Sequence, residues 1–275
     1  MPVYNAERTL GAAIRSIILQ TLRDWELLIL NDGSTDRSLA IAQRFDDPRI
    51  RVVTDNKSIK LAARLNQAVS LCRGGYIARM DADDIAYPNR LIEQVDFLQS
   101  NPDVDLLGSR VLIFSNDGEV VGTYPFKRTH VEICARPWAG FYLPHPTWMG
   151  KREWFIANPY NPSAIKAQDQ ELLLRAYERS CFACLPEILL GYRKNELSIS
   201  VILRGRYHFS RMLWRKAVSD RRFFLVFGLL EQIVKFVVES FGVGTGLKYA
   251  ILRHRALHVS NEESLKWRKV WESCR

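Results

Sequence analysis

The feature that most constrains this chain is an alternation of strand-like and helix-like segments. PVYN (2–5) reads as a strand-to-helix loop, and AERTLGAAIRSIILQTL reads as the helix after it. WELLILN (25–31) is a continuous apolar run, as a strand buried on both faces requires. NDGSTD follows, where Gly33 permits a tight turn and Ser34 or Thr35 can cap the helix SLAIAQRF. IRVVT (50–54), a helix within NKSIKLAARLNQAVSLC, the strand GYIARM and the helix NRLIEQVDFLQS continue the pattern. Short links between alternating elements predict an α/β fold, a mostly parallel central sheet flanked by helices. The chain opens at MPVYN with no apolar run ahead of it, so the first strand of such a sheet is expected to be truncated.

The second half is less regular. VDLLGSRVLIFSNDGEVVGTYPF predicts two strands joined by an NDG turn. NPSAIKAQDQELLLRAYERS holds a helix with Leu172, Leu173 and Ala176 on one side, and LPEILLGYRKN closes the domain with a strand. Residues 206–257 read as helical. Within FFLVFGLLEQIVKFVVESF (223–241), Gly228, Glu231, Gln232, Lys235 and Glu239 form a polar stripe at i, i+3, i+4, i+7 and i+11. The apolar remainder is as long as a bilayer is thick, but the charged stripe argues against a span. The segment is expected to lie in a membrane interface or to pack on protein, either the main domain or a second copy. The division expected is therefore an α/β domain over 1–200 and a basic amphipathic helical extension over 201–275.

Charge supports that division. The chain carries +9 in all, and residues 201–275 hold 15 Lys and Arg against 6 Asp and Glu, so the whole excess lies there. Such a tail favours an anionic partner. Nucleic acid is excluded by the lack of any nucleic-acid motif or of basic and aromatic residues interleaved on a sheet. Composition is that of a globular protein, with 47% hydrophobic and 25% charged residues, and no signal peptide is visible, so a cytoplasmic location is expected. Five scattered cysteines do not make a disulfide framework, and the lone CFAC (181–184) reads as buried thiols. His254 and His258 in HRALH stand at i, i+4, but with no nearby carboxylate they read as surface histidines.

RMDADDIAYPNRL (79–91) sets Asp81, Asp83 and Asp84 at the end of a strand. In sheets of this kind ligands bind at the carboxyl ends of strands, and Asp32 falls at another such end. The cluster is either a solvated turn or a site for Mg²⁺ or Mn²⁺, which prefer hard oxygen ligands and leave positions open for phosphates.

PVYN, NDGSTD and DADD, at these spacings, resemble the nucleotide-sugar domain of family 2 glycosyltransferases, which have the GT-A (Rossmann-like) fold. The similarity covers roughly residues 1–200. It implies transfer of a sugar, with inversion, from a nucleotide-diphosphate donor, most often UDP; together with the basic amphipathic tail, the expected acceptor is a saccharide or lipid-linked precursor at the inner membrane face. It also implies site residues. Pro2, Tyr4 and Asp32 match the nucleotide-binding positions, Tyr4 and Asp32 at the uracil ring. Asp81 matches the carboxylate near ribose and metal, and Asp83 the metal ligand of the DXD motif. Lys60 or Arg64 lies where the family places a basic residue near the base or diphosphate. KAQDQELLLRA resembles the family's Glu-Asp helix start, here Gln168-Asp169, which makes Asp169 the catalytic base. Glu171 is one turn deeper, and Asp169 as a plain helix cap is the competing role. HPTWM (145–149) resembles an acceptor-side segment, in which His145 and Trp148 shape a pocket or the histidine is structural. The rival to an enzyme is a catalytically inactive nucleotide-sugar-binding protein, suggested by Gln168 and the short first strand.

Overall fold

The structure, a computed structural model, describes residues 1–164, 167–194, 199–244 and 257–275. Its first part follows the expected alternation: β1 (Pro2–Val3), α1 (Leu10–Ile18), β2 (Leu27–Asn31), α2 (Ser38–Ala42), β3 (Ile50–Thr54) and α3 (Leu61–Leu71). The three strands form a parallel sheet in the order β1-β2-β3. All five residues of β2 are buried, as its unbroken apolar run requires. α1 buries Leu10, Ala13, Ile14 and Ile17, the stripe that its period predicts. The short first strand still pairs, with Pro2 opposite Leu30 and Val3 opposite Asn31.

The chain continues through β4 (Tyr76–Ala78), β5 (Ile85–Ala86), α4 (Arg90–Ser100), β6 (Leu106–Phe114), β7 (Val120–Thr123), α5 (His130–Ile133), β8 (Met149–Lys151), α6 (Arg152–Ala157), α7 (Gln168–Ala176) and β9 (Phe182–Arg193). These strands make a second, mixed sheet in the order β4-β8-β6-β9-β5, with β7 paired to β6. The β6–β9 pairing is parallel and the others are antiparallel. A groove of about 660 Å³ between β2 and β4, lined by Leu27, Leu28, Ile77 and Ala78, separates the two sheets. The NDG turn forms the β6–β7 hairpin with Gly118 at φ +86°.

Two helices, α8 (Ile199–Ser219) and α9 (Phe227–Gly244), and a C-terminal helix (Asn261–Cys274) follow. α8 inserts Phe209, Leu213 and Ala217, spaced by one turn, into the core that holds Leu172 and Leu173. The C-terminal helix starts on a capping box of Ser260 and Glu263 and buries Trp267 completely. That ring lies 4.5 Å from Phe114 of β6, and its Nε1 donates to the Gly118 carbonyl at 2.8 Å. A Cβ at Gly191 of β9 would collide with the same indole, so glycine there makes room for it. All five cysteines are free thiols. His254 of the HRALH pair lies outside the described residues.

Candidate active site

The acidic cluster forms the turn between β4 and β5. Asp81 is half-buried, Asp83 exposed and Asp84 buried, and their ligand oxygens lie within 4.8 Å of one another. Distant elements hold the turn. The Arg193 amide at the end of β9 donates to Asp84 Oδ1 at 3.0 Å, and its Nε donates to the Asp83 carbonyl at 2.8 Å. Thr9, just before α1, donates to the Ala82 carbonyl at 3.0 Å. Arg79 pairs with Asp81.

The cluster fits a hard divalent cation. Buried Asp84 Oδ2 has no hydrogen-bond partner. Burial, then the charges of Asp81 and Asp83, push the Asp84 carboxyl well above the usual carboxylate range. Repulsion among carboxylates held this close is what a bound Mg²⁺ or Mn²⁺ relieves. A pocket of about 510 Å³ opens on these residues, lined by Pro2, Tyr4, Asp81, Asp83, Asn116 and Arg193 among others. Four of the residues anticipated from the sequence therefore meet in one cavity. Tyr4 stands at its mouth, 59% exposed.

Asp32, Lys60 and Arg64 form a second group, beyond that lining. Asp32 Oδ1 accepts from the Ile59 amide at 2.7 Å and from Arg64 Nε at 2.9 Å. Its Oδ2 accepts from Ser58 Oγ at 3.2 Å and the Lys60 amide at 3.1 Å. Those bonds fill the acceptor capacity of the carboxylate. Asp32 thus clamps the loop 57–60 over the end of β2, with Lys60 held at φ +74°. Gly33 is required beneath it: φ is +72°, and a Cβ would lie 3.1 Å from the Lys57 carbonyl carbon. Arg64 was anticipated beside the base or diphosphate, but its side chain is fully buried and bonded to Asp32, Asp55 and Gln67. In this arrangement it orients Asp32. Lys60 is the exposed cation of the pair, its Nζ 3.3 Å from Ser58 Oγ.

Asp169 is the second residue of α7 and half-buried. Burial raises its carboxyl above the usual range, against hydrogen bonds from Gln170 and the charge of Arg79, which lower it. Glu171 is engaged by Arg175 at 3.3 Å. His145 Nε2 is 2.9 Å from the Tyr160 hydroxyl, and burial, then Arg79, hold its imidazole well below the usual value, so the ring is neutral. Trp148 is wholly buried and donates to the Leu143 carbonyl at 3.1 Å, a core residue rather than a pocket wall. Arg79 pairs with Asp81, and its charge also acts on Tyr160, His145 and Asp169, the last outside the lining of the pocket. Arg79, Tyr160 and Arg193 were not singled out from the sequence. The only signal was an arginine at the end of each of two apolar strands.

The Glycosyl transferase family 2 profile matches residues 1–158, and the chain belongs to that family. Over 121 residues it is 40% identical to EpsE of Bacillus subtilis, spanning 43% of this chain and 44% of that protein. Over 199 residues it is 32% identical to the uncharacterized glycosyltransferase MJ1057 of Methanocaldococcus jannaschii, spanning 70% of this chain and 69% of that one. Over 135 residues it is 35% identical to the Escherichia coli UDP-Glc:alpha-D-GlcNAc-diphosphoundecaprenol beta-1,3-glucosyltransferase WfgD, spanning 48% of this chain and 53% of that one. Among solved structures, S. aureus TarS 1–349 in complex with UDP-GlcNAc superposes with a TM-score of 0.64 at 17% identity, covering 99% of this chain and 78% of that chain. The mannosyltransferase PcManGT of Pyrobaculum calidifontis, in complex with GDP-Man and Mn2+, gives 0.59 at 14% identity, covering 99% of this chain and 85% of that chain. Likeness at these identities is likeness of fold.

Proposed function

We propose that this protein is an inverting, metal-dependent glycosyltransferase. It moves a sugar from a nucleotide-diphosphate donor, a UDP-sugar, to a hydroxyl of a saccharide or lipid-linked acceptor. The observation that carries the reading is the 510 Å³ pocket, in which Pro2 and Tyr4 face Asp81 and Asp83. Tyr4 offers an exposed ring for a base to stack on, and Asp32 with Lys60 and Arg64 braces the wall behind it. Asp81, Asp83 and Asp84 are the residues that would hold Mn²⁺ or Mg²⁺. A cation bound there neutralises charge on the departing diphosphate. TarS bound to UDP-GlcNAc, WfgD named for UDP-Glc, and PcManGT with Mn2+ support the donor class and the metal.

Asp169 acts as the base. Its raised pKa makes it a better proton acceptor near neutrality than an ordinary carboxylate. As the acceptor oxygen forms its bond to the anomeric carbon, Asp169 takes the hydroxyl proton, and the bond to the diphosphate breaks on the opposite face. Attack from the face opposite the departing diphosphate inverts the centre. The acceptor named for WfgD, a diphosphoundecaprenol, supports a site of work in the cytoplasm at the inner face of a membrane.

The test is turnover of a panel of nucleotide sugars with and without Mn²⁺, in parallel with UDP binding by calorimetry. Asp169→Asn is expected to lower kcat by roughly 10²–10⁴-fold while UDP still binds. Mn²⁺-dependent UDP binding with no turnover of any donor would instead identify a catalytically inactive nucleotide-sugar-binding protein.

A further inference from the structure

α9 packs with its polar side inward. Gln232 donates to the Trp138 carbonyl at 3.3 Å and Lys235 to the Ala139 carbonyl at 3.2 Å. Glu231 pairs with Arg136 at 2.9 Å. Gly228 lies so near Trp138 that a Cβ would come within 2.6 Å of that residue's own Cβ. Gly228, Glu231, Gln232 and Lys235 of the polar stripe visible in the sequence therefore face the catalytic body.

The opposite face is apolar and open. Phe227, Leu230, Val234 and Val237 recur at helical spacing, flanked by Ile233 and Val238, and all six are between 54% and 69% exposed. Nothing among the described residues covers them. A stripe of this size marks an interaction surface, because leaving it in water forfeits the burial that normally holds such a helix in place. α8 shows a related face. Tyr207, Arg211, Trp214 and Val218 stand at i, i+4, i+7 and i+11, all exposed. Arg211, Arg215 and Arg221 are exposed and form no ion pair among the described residues. Tyrosine and tryptophan interleaved with arginine suit the boundary between lipid and water.

We propose that the outward faces of α8 and α9 dock the protein on an anionic bilayer, with α9 lying in the plane of the headgroups. No helix among the described residues is long and apolar enough to cross a membrane, which leaves in-plane docking. Charge selects lipid over a second copy of the chain. Residues 199–244, which span the two helices, hold eight Lys and Arg against three Asp and Glu, so two such surfaces brought face to face repel, whereas anionic headgroups attract them. The surface deepens the membrane-side location of the proposed function and is independent of its chemistry. It would keep the pocket beside a lipid-linked acceptor without a spanning segment.

The test uses the full chain and cosedimentation with vesicles of phosphatidylcholine containing phosphatidylglycerol, against phosphatidylcholine alone. Binding is expected on the anionic vesicles at low salt and is expected to weaken as salt rises. At about fivefold per arginine, three arginines predict a partition roughly 100-fold weaker on the neutral vesicles. Leu230→Glu combined with Val234→Glu is expected to lower anionic binding at least about tenfold, with Mn²⁺-dependent UDP binding unchanged. If that variant misfolds, Arg211→Glu with Arg215→Glu reads the same surface and should also lower binding at least about tenfold. The proposal is overturned if the intact protein ignores anionic vesicles at low salt, or if folded surface variants pellet like the parent. It is also overturned if sedimentation velocity shows a dimer that the variants dissolve and that binds no vesicles. Vesicle binding without UDP binding would support the docking surface and remove the proposed chemistry.

Discussion

α1 and α9 share a period and differ in orientation. α1 turns Leu10, Ala13 and Ile14 into a core shared with β2, and on its other side Arg15 Nε donates to the Cys274 carbonyl of the C-terminal helix at 2.7 Å. α9 turns Glu231, Gln232 and Lys235 toward the catalytic body and leaves Phe227, Leu230 and Val234 outside. The first arrangement stabilises the fold through burial. The second attaches a helix through hydrogen bonds, charge and close approach at Gly228, with Leu229 packed on the core, and leaves an apolar face open. The surroundings match: the catalytic part is electrically balanced, and the extension carries the excess charge. An amphipathic sequence thus states that a helix has two faces without stating which one meets the protein.

The sharpest way to break the comparison is to place the same charge on both helices. Ile14→Glu buries an unpaired carboxylate and should cost about 4 kcal/mol or more, enough to abolish cooperative unfolding. Leu230→Glu, at a 62% exposed position, should stay within about 0.5 kcal/mol. Urea titrations of the two variants decide it, and equal destabilisation would mean that Leu230 is covered after all. The next effect is on rate and reads the catalytic half alone. As the proposed base, Asp169 would act only when ionised, and burial raises its pKa. kcat should therefore fall about tenfold for each pH unit below a midpoint that lies above the ordinary carboxylate value. A kcat–pH profile that stays flat down to the ordinary value would remove Asp169 from the role.

Smaller effects test how α9 is attached. Gly228→Leu has no room against Trp138 and should loosen the helix by about 1–3 kcal/mol, seen as faster amide exchange over 227–244 with the central sheet unchanged. Glu231→Gln removes pairing to Arg136 and Lys235, both partly exposed, and should cost only about 0.2–1 kcal/mol. A larger loss than that of Gly228→Leu would show that charge, and not close backbone approach, holds the helix.

Much of the fold was legible because the signals are local. An unbroken apolar run sets β2 inside, a 3.6-residue period gives α1 its buried side, and Gly33 in NDG supplies the positive φ that the turn needs. The acidic triplet and the aspartate opening α7 were readable for the same reason: each lies within a few residues of the element that carries it.

What the tertiary structure decided is which groups meet. The resemblance gave Asp32, and either Lys60 or Arg64, as nucleotide contacts; that Asp32 and Arg64 also pair with each other became visible only once β2 and α3 packed. Arg79 and Tyr160 carried no motif and became neighbours of His145 only when β4 paired with β8 and the segment after it folded back. The sequence by itself indicated a helix within 223–241 with one polar and one apolar face, although the helical run read over 206–257 breaks after Ser219 and α9 starts at Phe227, after a 3-10 turn. Only the packed structure decided that the polar face turns inward, because periodicity specifies the angle between two faces, and burial depends on which surface the rest of the chain presents to them.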